Sequence, residues 1–179
     1  MTTSEDKLIK ELAIAIVENP RGTLKDIAEK AGTSKATLHR LYGTREELEK
    51  ALSQKAFACL DIIIAIALDE SAEHRANFKQ LISAHYEHKE LLRCMTGSQS
   101  CADEAVWMPY MHAIDGFFLR GQKAGVFRID VNHTILTEMF VSALCGMIDA
   151  ERRGRIIPSQ FVDSIENVFF QGILATTTR

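Results

Sequence analysis

Lys35, Thr37, His39 and Arg40 fall within six residues of one another, in the run SKATLHRLY. On a helix at 100° per residue they point away from Leu38 and Leu41, so a short helix here turns a hydroxyl and several cations outward. The chemistry open to such a face is recognition of an anionic polymer. A guanidinium or ammonium pairs with phosphate or with the acceptor edge of guanine, and a threonine methyl packs on the methyl of thymine. Charge along the chain points the same way. Residues 21–45 hold Arg21, Lys25, Lys30, Lys35, Arg40 and Arg45 against Asp26 and Glu29, a net +4. The whole chain of 179 residues carries −3, so the remainder carries −7. A basic head on an acidic body suits a protein that meets phosphate at one end only. Charge alone also fits a solvated helical hairpin whose lysines merely keep it soluble.

The elements that must hold these side chains are legible from their ends. Thr23 precedes Leu24, Ile27, Ala28 and Ala31, whose spacing gives one apolar face of a two-turn helix. Asp26 stands three residues after Thr23, so the two can cap each other reciprocally. Gly32 ends the helix, because glycine tolerates the left-handed turn. Thr33 or Ser34 then caps a second helix from Lys35 to Leu41, whose inward face is Leu38 and Leu41, with Tyr42 at its end. Ala28 is small enough for the two helices to cross closely. Two short helices joined through such a glycine make a helix-turn-helix.

The rest of the chain also reads as helix, with no convincing strand and no internal repeat. A first helix fits 5–18 and stops before Pro20; a long one runs from about Arg45 to Leu68. Others fit 71–86, 88–95, 103–124 (kinked or restarted at Pro109), 131–151 and 158–174, with a loop at 96–101. Gly125 looks like a glycine cap of the 103–124 helix. The expected fold is all-α with about nine helices: a three-helix head at 1–46 and a larger helical body at 47–179. Apolar residues make up 46% of the chain, enough for a sizeable core. The apolar run at 56–68 is 13 residues long and is broken by Asp61, shorter than the roughly 20 of a membrane span. No secretory leader is evident, so the expectation is a soluble, cytoplasmic protein without membrane contact. Asp61, in an apolar helix, could face a cationic ligand, pair with an arginine or stand exposed, and exposure is the expectation. Cys59, Cys94, Cys101 and Cys145 form no CxxC pair, and Cys59 and Cys145 read as core thiols rather than disulfides.

The stretch IAEKAGTSKATLHRLYGTREEL, 27–48, resembles the signature of the tetracycline-repressor (TetR) family of one-component regulators. RGQKAGVFRIDV at 120–131 and ALCGMI at 143–148 resemble that family's regulatory domain. His39 stands where the family usually has tyrosine, Tyr42 where it has phenylalanine, and Arg45 where it has lysine. The resemblance implies a ligand-responsive transcriptional regulator, in the usual case a repressor released from its operator by a small-molecule effector. It implies that Lys35, Ala36, Thr37 and Arg40 face the major groove, and that Thr23, Ser34, His39, Thr44 and Arg45 hold phosphates. Thr44 and Arg45 also open the long helix, where free amides favour an anion. No cofactor is expected.

The last two helices are apolar almost all round. One face of each can meet the body, and the other calls for a second copy, which suits two half-sites of a near-palindromic operator. Phe140, Leu144, Met147, Phe161, Ile165 and Phe169 are the expected dimer contacts. The resemblance also implies an effector pocket in the body. Trp107, Met108, Met111, His112 and Phe118 could wall it, although such a stripe equally fits plain core. His85, His88 and His112 could converge on a metal, but surface or hydrogen-bonded histidines explain them as well, and no metal is expected. Two other classes remain: a protein-interaction module that retains a helix-turn-helix, and a small helical enzyme. No local nucleophile–base motif and no glycine-rich phosphate loop supports the enzyme.

Overall fold

In the computed structural model of the chain, residues 4–71, 73–96 and 104–174 are described. Among them the elements are α1 (Ser4–Glu18), α2 (Leu24–Lys30), α3 (Lys35–Tyr42), α4 (Arg45–Leu68), α5 (His74–Glu87), α6 (Lys89–Thr96), α7 (Glu104–Lys123), α8 (His133–Arg152) and α9 (Phe161–Ile173). A 3-10 turn, Pro158–Gln160, leads into α9. The expected boundaries fall within a few residues of these. The loop expected at 96–101, with Cys101, lies largely outside the described residues. Pro109 does not restart α7, which runs unbroken from Glu104 to Lys123. It stands in the second turn, where one missing N–H removes only one bond of the ladder.

The chain packs as two units. One is Met1–Leu60 with His88–Glu104; the other is Asp61–Glu87 with Ala105–Arg179. This differs from a division at 46/47, because the first two-thirds of α4 and all of α6 pack with the head. In that unit α1 lies against α2 and α6, and α2 lies against α3. Its core is Leu12, Ala13, Ala15, Ile27, Ala28, Leu38, Leu48, Leu52, Ala56 and Met95. The small residues on α1 let α6 approach closely enough for the Cys94 thiol to reach the carbonyl of Ala13, 3.4 Å away.

The second unit is built on aromatic packing. Phe78 of α5, Phe117 and Phe118 of α7, Phe127, and Phe140 of α8 are essentially fully buried, and Phe170 of α9 is buried beside them. Neighbouring ring centroids lie 5–6 Å apart, as for Phe78–Phe140 at 5.2 Å and Phe117–Phe127 at 5.6 Å. Phe127 enters this cluster because α7 stops sharply. Gly125 takes φ +71°, and the Val126 amide returns to the Gly121 carbonyl at 2.9 Å. Gly121 must itself be glycine: a Cβ there would stand 2.1 Å from Phe127. An isolated antiparallel bridge pairs Phe127 with Leu174, and the next amide, Arg128, donates to the Ile173 carbonyl at 2.7 Å. The sequence pattern had no sign of this bridge, whose partners are far apart in the chain.

By length and composition α4 is the one described helix that could cross a membrane. It also passes through protein: Leu48, Leu52, Ala56, Cys59, Leu60, Ile63 and Ala67 are all buried. Asp61 is exposed, as expected.

Candidate nucleic-acid interface

α2 begins at a complete capping box. The Asp26 amide donates to Thr23 Oγ1 at 3.3 Å, and the Thr23 amide donates to the Asp26 carboxylate at 2.7 Å. The hydrogen bond from the Thr23 backbone holds the Asp26 carboxyl below its usual range. α2 ends at Gly32 (φ +69°), with the Thr33 amide closing onto the Ala28 carbonyl at 2.9 Å. Ser34 caps α3: the Thr37 amide donates to Ser34 Oγ at 3.0 Å, and the two hydroxyls lie 2.9 Å apart. These four short-range devices fix where α3 starts and which way it points.

On α3 only Leu38 is fully buried. Leu41, expected inside, is 52% exposed. The reason is angular. Tyr42, four residues after Leu38, nearly eclipses it and takes the inward place, while Leu41 is rotated about 60° the other way. Burial accordingly pushes the Tyr42 hydroxyl pKa up, with the Glu5 charge adding to it. Lys35, Ala36, His39 and Arg40 are exposed, and Thr37 is half-buried. The four exposed residues share an arc of about 140° of the helix circumference.

The charge count of the head overstates what faces solvent unpaired. Lys30 bonds Glu18 at 2.7 Å, Lys25 lies 3.7 Å from Glu29, and Arg45 bonds Glu49 at 2.8 Å. Lys35 and Arg40 make no ion pair among the described residues. Of the six cations at 21–45, exposed Arg21 likewise makes no ion pair among the described residues, and Lys35 and Arg40 are the two of these three that stand on the outward arc of α3.

The start of α4 departs from expectation. Thr44 and Glu47 form a second reciprocal cap: the Thr44 amide donates to Glu47 Oε2 at 2.9 Å and the Glu47 amide to Thr44 Oγ1 at 3.2 Å. The anion seat expected there is therefore already answered by a carboxylate. Arg45 is turned inward as well. Its Nε bonds Glu49, its Nη2 donates to the Pro20 carbonyl at 2.6 Å, and its Nη1 donates to the Gly22 carbonyl. Arg45 clamps the α1–α2 connection and is not a free phosphate ligand. Nothing in the local sequence separates these roles, since the acceptors lie more than twenty residues away.

The expected effector wall does not form. Met108 is 37% exposed and His112 is exposed, whereas Phe118 lies wholly inside the aromatic cluster; only Trp107 and Met111 are half-buried together. Helical spacing had merged residues from different sides of α7. The histidines do not converge either. His85 Nδ1 donates to the Leu81 carbonyl at 2.7 Å, and the buried Tyr110 hydroxyl lies 2.8 Å from His85 Nε2. With Nδ1 carrying the proton, Nε2 accepts from that hydroxyl. Among the described residues no group of three or more His, Cys, Asp or Glu side chains could hold a metal.

The expected dimer contacts need a similar correction. Phe140, Leu144, Phe161 and Ile165 are buried within the single chain, at 5% exposure or less. Met147 and Phe169 are half-buried. The large apolar residues that α8 and α9 leave exposed are Ile135 (52%), Met139 (55%) and Val168 (78%).

Comparison with known proteins places this geometry. The helix-turn-helix transcriptional regulator NfxB of Pseudomonas aeruginosa is 42% identical over 178 residues, covering 96% of this chain and 95% of that protein. The chain belongs to the TetR-like helix-turn-helix transcriptional regulators. No family-wide sequence profile matches it. The fold agrees with solved regulators. The TetR-family regulator PfmR from Thermus thermophilus superposes over the whole of both chains with a TM-score of 0.67 at 22% identity. LfrR from Mycobacterium smegmatis, solved in complex with proflavine, aligns over 96% of this chain and 97% of its own with a TM-score of 0.62 at 20% identity. The capped α2–α3 pair is the helix-turn-helix of this regulator.

Proposed function

We propose that the protein is a cytoplasmic, non-enzymatic repressor that binds a near-palindromic operator as a homodimer and leaves it when a small-molecule effector binds. The observation that carries this reading is the outward arc of α3, where Lys35 and Arg40 stand without acidic partners beside Ala36, Thr37 and His39. The two cations seek phosphate or guanine, and the methyls of Ala36 and Thr37 suit a thymine methyl. Thr23 donates both its hydroxyl and its amide to Asp26 and so serves the cap alone, whereas Ser34 and Thr44 accept from cap amides and can turn an O–H toward a phosphate alongside. Arg45 supports the module from behind.

The second copy docks on α8 and α9 through Ile135, Met139 and Val168, with Met147 and Phe169 at the margin. Ile135 and Met139 lie one turn apart on α8, and an exposed apolar stripe of this kind is the usual mark of an interface. The effector acts on the second unit. α4 belongs to both units, its residues up to Leu60 falling in the first and those from Asp61 in the second, so it is the element through which an effector would act on the head. The bound proflavine of LfrR supports a small molecule in this role.

A gel shift tests the reading. Full-length protein should retard the DNA just upstream of its own coding region at concentrations that leave unrelated DNA free. Lys35→Ala and Arg40→Ala should each abolish the distinction. Equal, salt-labile retardation of any DNA by the unaltered protein would refute a specific operator.

A further inference from the structure

Arg21 stands between α1 and α2, in the run NPRG at 19–22. The Gly22 amide returns to the Asn19 carbonyl at 3.0 Å, so these four residues form a turn with proline second and arginine third. Asparagine first, proline second and glycine fourth suit a type I turn, and Arg21 has no positive φ, as that type requires. Two residues further on, Thr23 caps α2.

Arg45 closes on this turn from the start of α4. Its Nη2 donates to the Pro20 carbonyl at 2.6 Å and its Nη1 to the Gly22 carbonyl. Both peptide groups that flank Arg21 are therefore held: the Pro20 C=O by Arg45, and the Gly22 N–H by Asn19. The proline ring fixes φ on the way in. On the way out Gly22 is buried, and a Cβ there would run into the Asn19 side chain. The Arg21 side chain is nonetheless exposed and makes no ion pair among the described residues. The acids near it in the chain are engaged elsewhere. Glu18 bonds Lys30 at 2.7 Å, and the Asp26 carboxylate accepts from the Thr23 amide at 2.7 Å. The backbone of Arg21 is thus ordered by folding, and a partner that binds its guanidinium has only side-chain rotamers left to order.

We infer that Arg21 is a phosphate ligand for DNA and that Arg45 is its positioning residue. In a helix-turn-helix the second helix enters the major groove while the first crosses the sugar–phosphate backbone, and Arg21 precedes the cap of that first helix by two residues. A guanidinium matches two phosphate oxygens at once. The cation expected to meet phosphate from the start of α4 instead holds in place another one that does. The inference rests on the operator reading for the identity of the DNA, but not for the phosphate contact, which carries no sequence information.

Salt titrations by fluorescence anisotropy on the full-length protein test it, with the duplex upstream of its own coding region and an unrelated duplex. Arg21→Ala, an exposed substitution, should weaken both duplexes alike, by about tenfold. It should also flatten the slope of log affinity against log salt by about 1.8 for the two copies of a dimer. Arg45→Ala, measured where it is folded, should weaken both duplexes about threefold with the slope kept, because Arg21 still carries its charge to the phosphate but from a looser turn. That loss should vanish in the Arg21→Ala background, which a general loss of stability would not do. Pro20→Gly loosens the same turn at an exposed position and should repeat this pattern if Arg45→Ala does not fold. An unchanged slope in Arg21→Ala, or a loss confined to the operator, overturns the phosphate role. A loss from Arg45→Ala or Pro20→Gly that persists in the Arg21→Ala background overturns the positioning role. If the unaltered protein binds the two duplexes equally, the operator reading fails, and Arg21→Ala still decides the contact on either one.

Discussion

Arg45→Ala discriminates sharply between a cation that binds DNA and one that holds the fold. Arg45 donates to the Pro20 and Gly22 carbonyls and to Glu49, and its side chain is only 23% exposed. The two carbonyl bonds tie α4 to the α1–α2 connection, and Glu49 is 43% exposed and so contributes less. Losing them should cost about 2 kcal/mol. In a chain of this size that lowers Tm by about 4–8 °C. DNA binding should respond differently. Each cation that releases counterions adds about 0.9 to the slope of log affinity against log salt. Lys35→Ala or Arg40→Ala, present twice in a dimer, should therefore flatten the slope by about 1.8. Between 50 and 200 mM salt that amounts to about a tenfold difference in how far affinity falls. Arg45→Ala should leave the slope unchanged at temperatures where the variant is folded. The assay is a salt titration of operator affinity by fluorescence anisotropy, paired with thermal unfolding. A slope reduced as much by Arg45→Ala as by Lys35→Ala, with Tm unaltered, would refute the clamp and restore a phosphate role.

Other expectations follow from the same coordinates. Val168→Asp, at 78% exposure, should leave the protomer folded and yield monomer in sedimentation at micromolar concentration, whereas Phe140→Ala should destabilise the protomer itself by about 3–5 kcal/mol in denaturant titration. Arg75 and Lys79 hold the Glu166 carboxyl below the usual carboxylate range, through bonds of 2.8 and 3.2 Å. With the folded pKa depressed, this contribution is complete above about pH 4.5 and is lost as pH falls through the folded value. Glu166→Gln should therefore be less stable than the parent at pH 7, and thermal melts down to pH 3 should show the gap closing; a constant gap would remove the ion pair as its cause. Burial pushes the Cys94 thiol up to about 11, so iodoacetamide at pH 7.5 followed by peptide mass mapping should leave Cys94 unmodified in the folded protein and alkylate it once the protein is unfolded.

The sequence by itself determined the helix-turn-helix. Thr23 with Asp26, Gly32, and Ser34 with Thr37 act across three residues or fewer, so their spacing in the chain is already their geometry in space. The charge asymmetry and the apolar content of α8 and α9 were equally legible. Tertiary structure alone decided the rest. Arg45 could be assigned only once Pro20 and Gly22 stood beside it, because a cation at a helix start looks the same whether it meets a phosphate or a carbonyl. Leu41 and Tyr42 both fit an apolar face, and only the crossing of α3 against its neighbours chose the tyrosine. α8 and α9 are apolar on both sides, so periodicity could not say that Phe140, Leu144, Phe161 and Ile165 would be spent inside and Ile135, Met139 and Val168 left outside. Among the described residues the buried Asn77 Oδ1 accepts no hydrogen bond, and nothing in the sequence signals this, because an unmet acceptor exists only when the surrounding atoms are in place. Contacts within a turn are written in order along the chain, whereas contacts between elements are set by packing that the order does not encode.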